Sequence, residues 1–226
     1  MSKRIEELDW QQTPIGEISL RRRIEPTLQR EVFEVKLGDE YLMSSLFTVA
    51  EIALASLGLA ACSDPSDVVV GGLGLGYTAR AVLDDPRVQS LQVIEALDAV
   101  ISWHTGGLLP VNLMDPRCEL VQGDFFALAG LGGLPECDAL LVDIDHTPRH
   151  VLHPSHAGFY SEQGLAPVVD CLRPGGVFAL WSDDPPDPDF LIVLEGCFSR
   201  VEAHLIAFDN PLTGGESSNS VYVARR

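Results

Sequence analysis

The chain has 226 residues, 46% of them apolar, which suits one domain of ordinary size with a substantial core and excludes a disordered polymer. Asp and Glu number 33 against 15 Lys and Arg, and a formal charge of −18 argues against a nucleic-acid partner, whose phosphates call for a basic surface. Such a field attracts a cationic small molecule, and it also serves simply to keep a protein in solution.

In chain order, the opening MSKRIEELDW has no apolar core of signal-peptide length. Residues 15–24 and 30–37 read as two short strands joined by the turn signal Glu25-Pro26-Thr27, so a β-hairpin is expected within an N-terminal segment 1–45. The triplet Arg21-Arg22-Arg23 on it reads as solvated strand residues. A main domain is expected over 46–226. It opens with a helix from Leu46 to Ala61, too often interrupted, by Thr48, Glu51, Ser56 and Gly58, to cross a membrane.

After Ser63-Asp64-Pro65 the pattern alternates. Strands are expected at Val68–Val70, Leu91–Ile94, Cys118–Val121, Ala139–Val142 and Val177–Trp181, with helices between, including Thr78–Leu83 and a stretch through Ile101-Ser102-Trp103. Alternation of this kind implies a parallel sheet covered on both faces, an α/β Rossmann-like fold. Two later runs, Val201–Phe208 and Ser220–Ala224, flank a turn-rich link and read as an antiparallel pair closing the sheet. Five cysteines (Cys62, Cys118, Cys137, Cys171 and Cys197), odd in number and without C-x-x-C spacing, read as reduced thiols of a cytoplasmic protein.

The chemistry is expected at Val68-Val69-Val70-Gly71-Gly72-Leu73-Gly74-Leu75-Gly76, which ends a strand and enters a helix. Gly72, Gly74 and Gly76 permit positive φ and close approach of backbone to a ligand, and the helix N-terminus offers free N–H groups. Nineteen residues after Gly76, Glu95 ends the next strand, where a carboxylate can accept hydrogen bonds from both hydroxyls of a ribose. Gly74 to Ala79 also satisfies the G-x-G-x-x-A form of a nicotinamide-dinucleotide fingerprint, so an NAD-dependent oxidoreductase is one reading. Further on, Asp124 of Gly123-Asp124-Phe125 can accept from an adenine amino group, with Phe125 offering an apolar ring face, and Asp143 ends the fourth strand. Acids at three successive strand ends suit an adenosyl sulfonium better than a dinucleotide.

Several stretches together resemble the spermidine synthase-like branch of the class I S-adenosylmethionine-dependent methyltransferase fold. They are Gly72 to Leu83, Val93-Ile94-Glu95, Asp115 to Asp124, Leu141-Val142-Asp143, Phe159-Tyr160-Ser161-Glu162 and Leu172-Arg173-Pro174-Gly175-Gly176. The resemblance implies a seven-stranded class I methyltransferase fold, with the hairpin as a short form of the family's N-terminal β-domain. It implies S-adenosylmethionine or its decarboxylated form as cofactor, Glu95 on ribose, Asp124 on the adenine amino group and Asp143 at the transfer site. Two departures stand out. Leu75 occupies the place of an Asp that meets the amine of the decarboxylated donor, and the catalytic loop reads Asp143-Ile144-Asp145-His146-Thr147-Pro148.

A small-molecule transferase carrying out methyl or aminopropyl transfer is therefore expected, with a non-catalytic nucleoside-binding relative as an alternative. An amine acceptor must lose a proton before it attacks, and its solution pKa is near 10. Asp143 is the first candidate to take that proton and Asp145 the second. His146, His150, His153 and His156 follow, but Pro148 and Pro154 prevent a single helical face, so no metal site is assigned. The acidic run Asp183 to Asp189 reads as a solvated loop with a helix cap. The partners expected are a small molecule, cationic in one reading, and a second copy of the chain, with neither nucleic acid nor membrane among them.

Overall fold

The structure, a computed structural model, describes residues 5–226. The expected hairpin is present as β2 (Gly16–Glu25) and β3 (Arg30–Leu37), but it is the middle of something larger. β1 (Ile5–Thr13) pairs with β2 and β4 (Glu40–Ser44) with β3, making a four-stranded antiparallel sheet where the sequence suggested two strands. Both outer strands carry irregularities, at Glu7/Asp9 and Val35/Lys36, and neither shows a clean apolar alternation. Ile18, Leu20, Phe33 and Val35 pack from this sheet into the main core. The arginine triplet is tied to acids of the neighbouring strands, Arg22 to Glu6 at 2.5 Å and Arg23 to Glu34 at 2.7 Å.

The main sheet has seven strands. In chain order its parallel members are β5 (Asp67–Gly71), β6 (Ser90–Glu95), β7 (Cys118–Gln122), β8 (Cys137–Val142) and β9 (Leu172–Ser182), with β10 (Arg200–Asn210) and β11 (Gly215–Arg225) as the antiparallel pair. Their spatial order is β10-β11-β9-β8-β5-β6-β7. The run Val68-Val69-Val70 is apolar throughout because both faces are covered. Val68 and Val70 join the core on one side, with Leu54 and Leu59 of helix α1 (Val49–Ala61). Val69 joins the other, with Leu165 and Val168 of a later helix and Phe178. Gly58 brings α1 down onto the sheet, since a Cβ there would stand 2.7 Å from the Leu141 side chain.

Helices α2 (Tyr77–Leu83), α3 (Asp98–Thr105), α4 (Phe125–Gly130), α5 (Glu162–Cys171) and α6 (Pro188–Cys197) complete the layers. Several start on residues whose side chains satisfy free N–H groups: Asp124 for α4, Ser161 for α5 and Asp187, followed by Pro188, for α6. Asp187 also pairs with Arg149 at 2.6 Å, so the acidic run is a capped and anchored loop.

Strand order reverses direction at β5, between β6 and β8, which is where ligands of open α/β sheets bind. Register places Gly71 beside both Ile94 and Val142, and Glu95 beside Gln122, so the expected ligand-binding residues leave the sheet along one edge. Gly72 is confined there: its φ is +94°, and a Cβ would stand 2.2 Å from the Asp143 carbonyl oxygen. Gly72→Ala is expected to lose about 2 kcal/mol or more of stability, from a strained φ and a backbone clash. Chemical denaturation of the variant checks this, and an unchanged midpoint would contradict the geometry.

Candidate active site

The edge is fixed first by backbone. Asp143 N–H donates to Gly71 O at 2.9 Å and Gly72 N–H to Ile94 O at 2.9 Å, so the ends of β8, β5 and β6 are tied together. The glycine turn follows with φ of +94°, +48° and +87° at Gly72, Gly74 and Gly76. Glu95 braces it from below, accepting from Leu73 N–H at 3.0 Å and from Leu97 N–H at 2.8 Å. Burial pushes its carboxyl above the ordinary range, against the pull of these backbone donors. His104, which the sequence did not single out, braces the turn from behind, with Nε2 2.9 Å from Gly74 O.

Two cavities open at this edge. The first, about 520 Å³, has Gly72, Gly74, Glu95 and Asp124 as its polar wall and Ile94, Leu97, Val100 and Leu152 as its apolar one. The backbone N–H groups of Gly74 and Ala96 also act on it, so Glu95 sits among backbone donors in the cavity wall. Asp124 Oδ1 accepts from Ala127 N–H at 3.0 Å while the residue stays exposed at the rim. Phe125 lines this cavity from a buried position. It is 2% exposed, and its ring lies under Gly71, where a Cβ would meet it at 2.7 Å. The half-buried ring here is Phe126, stacked on His156 with centroids 3.9 Å apart. A Phe-Phe pair gives no hint from sequence of which ring faces in.

The second cavity, about 430 Å³, is lined by the other side of the glycine turn, by Phe47 and Trp181, and by three acids: Glu51, Asp143 and Asp183. Among the described residues, no Lys or Arg lines either cavity. Asp183 is held by Asn219 Nδ2 at 2.7 Å, and its N–H donates to His146 O at 2.7 Å. Asp143 and Ile144 line both cavities, as do Leu42, Met43 and Gly74, so the two cavities adjoin there. Thr78 Oγ1 donates to Asp143 Oδ2 at 2.6 Å and lies 3.4 Å from the Glu51 carbonyl, linking α2, β8 and α1. Burial pushes the Asp143 carboxyl up to about 6, against the Thr78 hydrogen bond. Burial, then the neighbouring Asp143, pushes Glu51 up to about 8. Sequence reasoning had met Glu51 only as an interruption in an apolar helix.

Asp145 lines neither cavity. It is buried, and it accepts from Leu152 N–H (2.8 Å) and Tyr160 O–H (2.8 Å), with His156 Nδ1 2.8 Å away. Its role is to gather the loop that carries His146 to His156. The four histidines on it stand as two pairs, His146 with His150 (ring centroids 5.1 Å apart) and His153 with His156 (5.8 Å), and among the described residues no three His, Cys, Asp or Glu side chains are grouped to hold a metal.

Compared with solved structures, the chain superposes on a spermidine synthase in complex with the transition-state analogue AdoDATO with a TM-score of 0.74. That match has 20% identity and covers 97% of this chain and 73% of that one. The chain has the spermidine synthase-like class I methyltransferase fold. A spermidine synthase from Thermotoga maritima gives a TM-score of 0.71, again at 20% identity and covering 97% of this chain and 72% of that one. In sequence the chain is 29% identical over 126 residues to putrescine N-methyltransferase 4 of Nicotiana tabacum, covering 55% of this chain and 31% of that protein. It is 28% identical over 170 residues to polyamine aminopropyltransferase 2 of Pseudomonas aeruginosa, covering 67% and 45%. The chain thus spans less than half the length of these curated relatives. No family model matches it. No helix among the described residues is long and apolar enough to cross a membrane, and all five cysteines are unpaired.

The raised Asp143 carboxyl sets a pH dependence. The folded chain keeps a proton there that the unfolded chain releases from about pH 4, so this group withdraws stability as pH rises from about 4 to about 6. Asp143→Asn removes the titration and leaves a pH-independent offset from the altered Thr78 bond. The variant is expected to gain on the parent across that window in urea denaturation at each pH. A flat difference would show that Asp143 is not held in a desolvated site.

Proposed function

We propose that the chain is an alkyltransferase that uses S-adenosylmethionine or its decarboxylated form and alkylates a small amine that arrives as a cation. The observation that carries this reading is the pair of cavities meeting at Asp143. One offers what an adenosyl group needs: a glycine turn of positive φ, a carboxylate in the wall at Glu95, another at Asp124, and apolar walls for a base. The other is acidic and, among the described residues, has no Lys or Arg in its lining, which suits an ammonium.

When bound, the sulfonium supplies an alkyl carbon activated for displacement. The protein's part is alignment, which can supply much of the rate. The shared wall at Asp143 and Ile144 would bring an acceptor in the acidic cavity into line with a donor in the other. Asp143, held by Thr78, would fix the ammonium end there. Asp145 would act at one remove, by setting the loop that closes the nucleoside cavity through Leu152 and His156. The relatives carry names that specify putrescine and polyamines, which supports an aliphatic amine as acceptor. Leu75, buried beside the turn, supplies no charge for a donor tail, so the transferred group must be read from binding.

Calorimetry with S-adenosylmethionine, its decarboxylated form, methylthioadenosine and NAD tests the reading. The adenosyl sulfur compounds are expected to bind and NAD is not; binding of NAD alone would make the chain an oxidoreductase candidate instead. Tighter binding of the decarboxylated donor than of S-adenosylmethionine would select aminopropyl transfer. Donor binding without alkylation of any of a panel of aliphatic amines would make it a non-catalytic nucleoside-binding relative. Asp124→Ala is expected to weaken every adenosyl ligand about tenfold, the worth of one hydrogen bond to a charged group. Unchanged affinity would remove Asp124 from the pocket.

A further inference from the structure

Thr48-Val49-Ala50-Glu51 has the T-x-x-E spacing of a capping box, in which the Glu side chain reaches back to the N-cap N–H and the Thr hydroxyl satisfies the Glu N–H. Neither arm of that box forms. Thr48 makes no side-chain cap bond, and the Glu51 carboxyl's one hydrogen bond comes from its own backbone N–H. The side chain instead lines the acidic cavity together with Asp143. Among the described residues no Lys or Arg lines that cavity, and a half-buried carboxyl that forgoes its local partner and faces a second carboxyl there has no structural task.

We propose that Glu51 is the catalytic proton acceptor for the amine substrate, drawing the acceptor's ammonium between itself and Asp143 and taking its proton before alkyl transfer. This rests on the alkyltransferase reading above. The step balances. A proton passes from the ammonium to the Glu51 carboxylate, and the freed nitrogen lone pair then forms the C–N bond. The C–S bond breaks, its electron pair stays on sulfur, and the positive charge moves from sulfur to the alkylated nitrogen.

The choice of Glu51 over Asp143 follows from position. Asp143 is held by the Thr78 hydroxyl at 2.6 Å, whereas Glu51 has a hydrogen bond from its own backbone N–H and lines the acidic cavity. Burial raises both carboxyls, which brings a cavity acid closer to the range of an aliphatic ammonium, with its solution pKa of about 10, and eases the passage of its proton. The titratable groups facing Glu51 across the cavity are Asp143 after β8, Asp183 after β9, Tyr77 on α2, Tyr41 on β4 and His146 on the loop after β8. None is a permanent cation, so the arriving ammonium is itself the charge that ionises Glu51.

The test uses the full chain, with putrescine and n-butylamine as probes. In the parent, Glu51 labelled with 13C at the carboxyl is expected to titrate well above an ordinary glutamate and to move down when either amine is added. Turnover with S-adenosylmethionine or its decarboxylated form is expected to fall as pH drops below about 8. Glu51→Gln should bind methylthioadenosine as the parent does, lose about 100-fold or more in kcat, and lose that pH dependence; Glu51→Asp should recover part of the rate. A Glu51 resonance unmoved by both amines would overturn the proposal, as would a Gln variant that keeps kcat and pH profile. Failure of the alkyltransferase reading looks different, because the parent itself would then bind no methylthioadenosine or would alkylate no amine.

Discussion

Two backbone hydrogen bonds hold the functional edge together: Asp143 N–H to Gly71 O and Gly72 N–H to Ile94 O. They tie the three strands around the reversal of strand order, and they bring the Asp143 carbonyl so close to Gly72 that no Cβ fits between. Everything with chemical consequence is referred to that contact. The glycine turn leaves it on one side and the Asp143 side chain on the other, so the two cavities share a wall by construction. An α/β sheet yields such a crevice wherever strand order reverses. What this chain adds is a lining of carboxylates with, among the described residues, no Lys or Arg to neutralise them.

Around that edge the chain uses acids in two distinct ways. Asp145 is spent on structure: with a backbone N–H, a tyrosine hydroxyl and a histidine ring around it, its acceptor capacity is committed inside the protein. Glu95 is intermediate, holding the turn while lining the first cavity. Glu51 and Asp143 are left with little internal compensation, and both are pushed above the carboxylate range by burial. A protein gains no stability from such a pair, since two like charges in a desolvated site repel. Their presence makes sense as an expense met for function, redeemed when a cation enters.

Much of this was legible in the sequence because it rests on local rules. Period and turn chemistry mark the main-sheet strands, and a glycine turn between strand and helix marks the crevice. Acids at successive strand ends mark its floor, because register in a parallel sheet carries them to one edge. The resemblance to the spermidine synthase branch concerned these same stretches, and the fold agrees with it. The rest was hidden for stated reasons. β1 and β4 are outer strands with irregular pairing, so their apolar alternation is broken. Phe125 and Phe126 differ only in which way a short helix turns them, which depends on tertiary packing against Gly71 and His156. His104 acts through a contact thirty residues away in sequence, which no local pattern announces.

Glu51 is the most instructive of the hidden residues because its local signal pointed elsewhere. Near a helix N-terminus, the macrodipole favours an ionised carboxylate by a few tenths of a kcal/mol to about one. Left to local forces, then, Glu51 would be an ordinary capping acid with a depressed pKa. The structure shows the opposite direction, because burial beside Asp143 outweighs the dipole. A local rule that fails at one residue, in a direction set by a cavity, marks that residue as belonging to the cavity rather than to the helix. The first turn of α1 thus contributes an acid to the cavity that Asp143 and Asp183 also line, and this helix completes the candidate site.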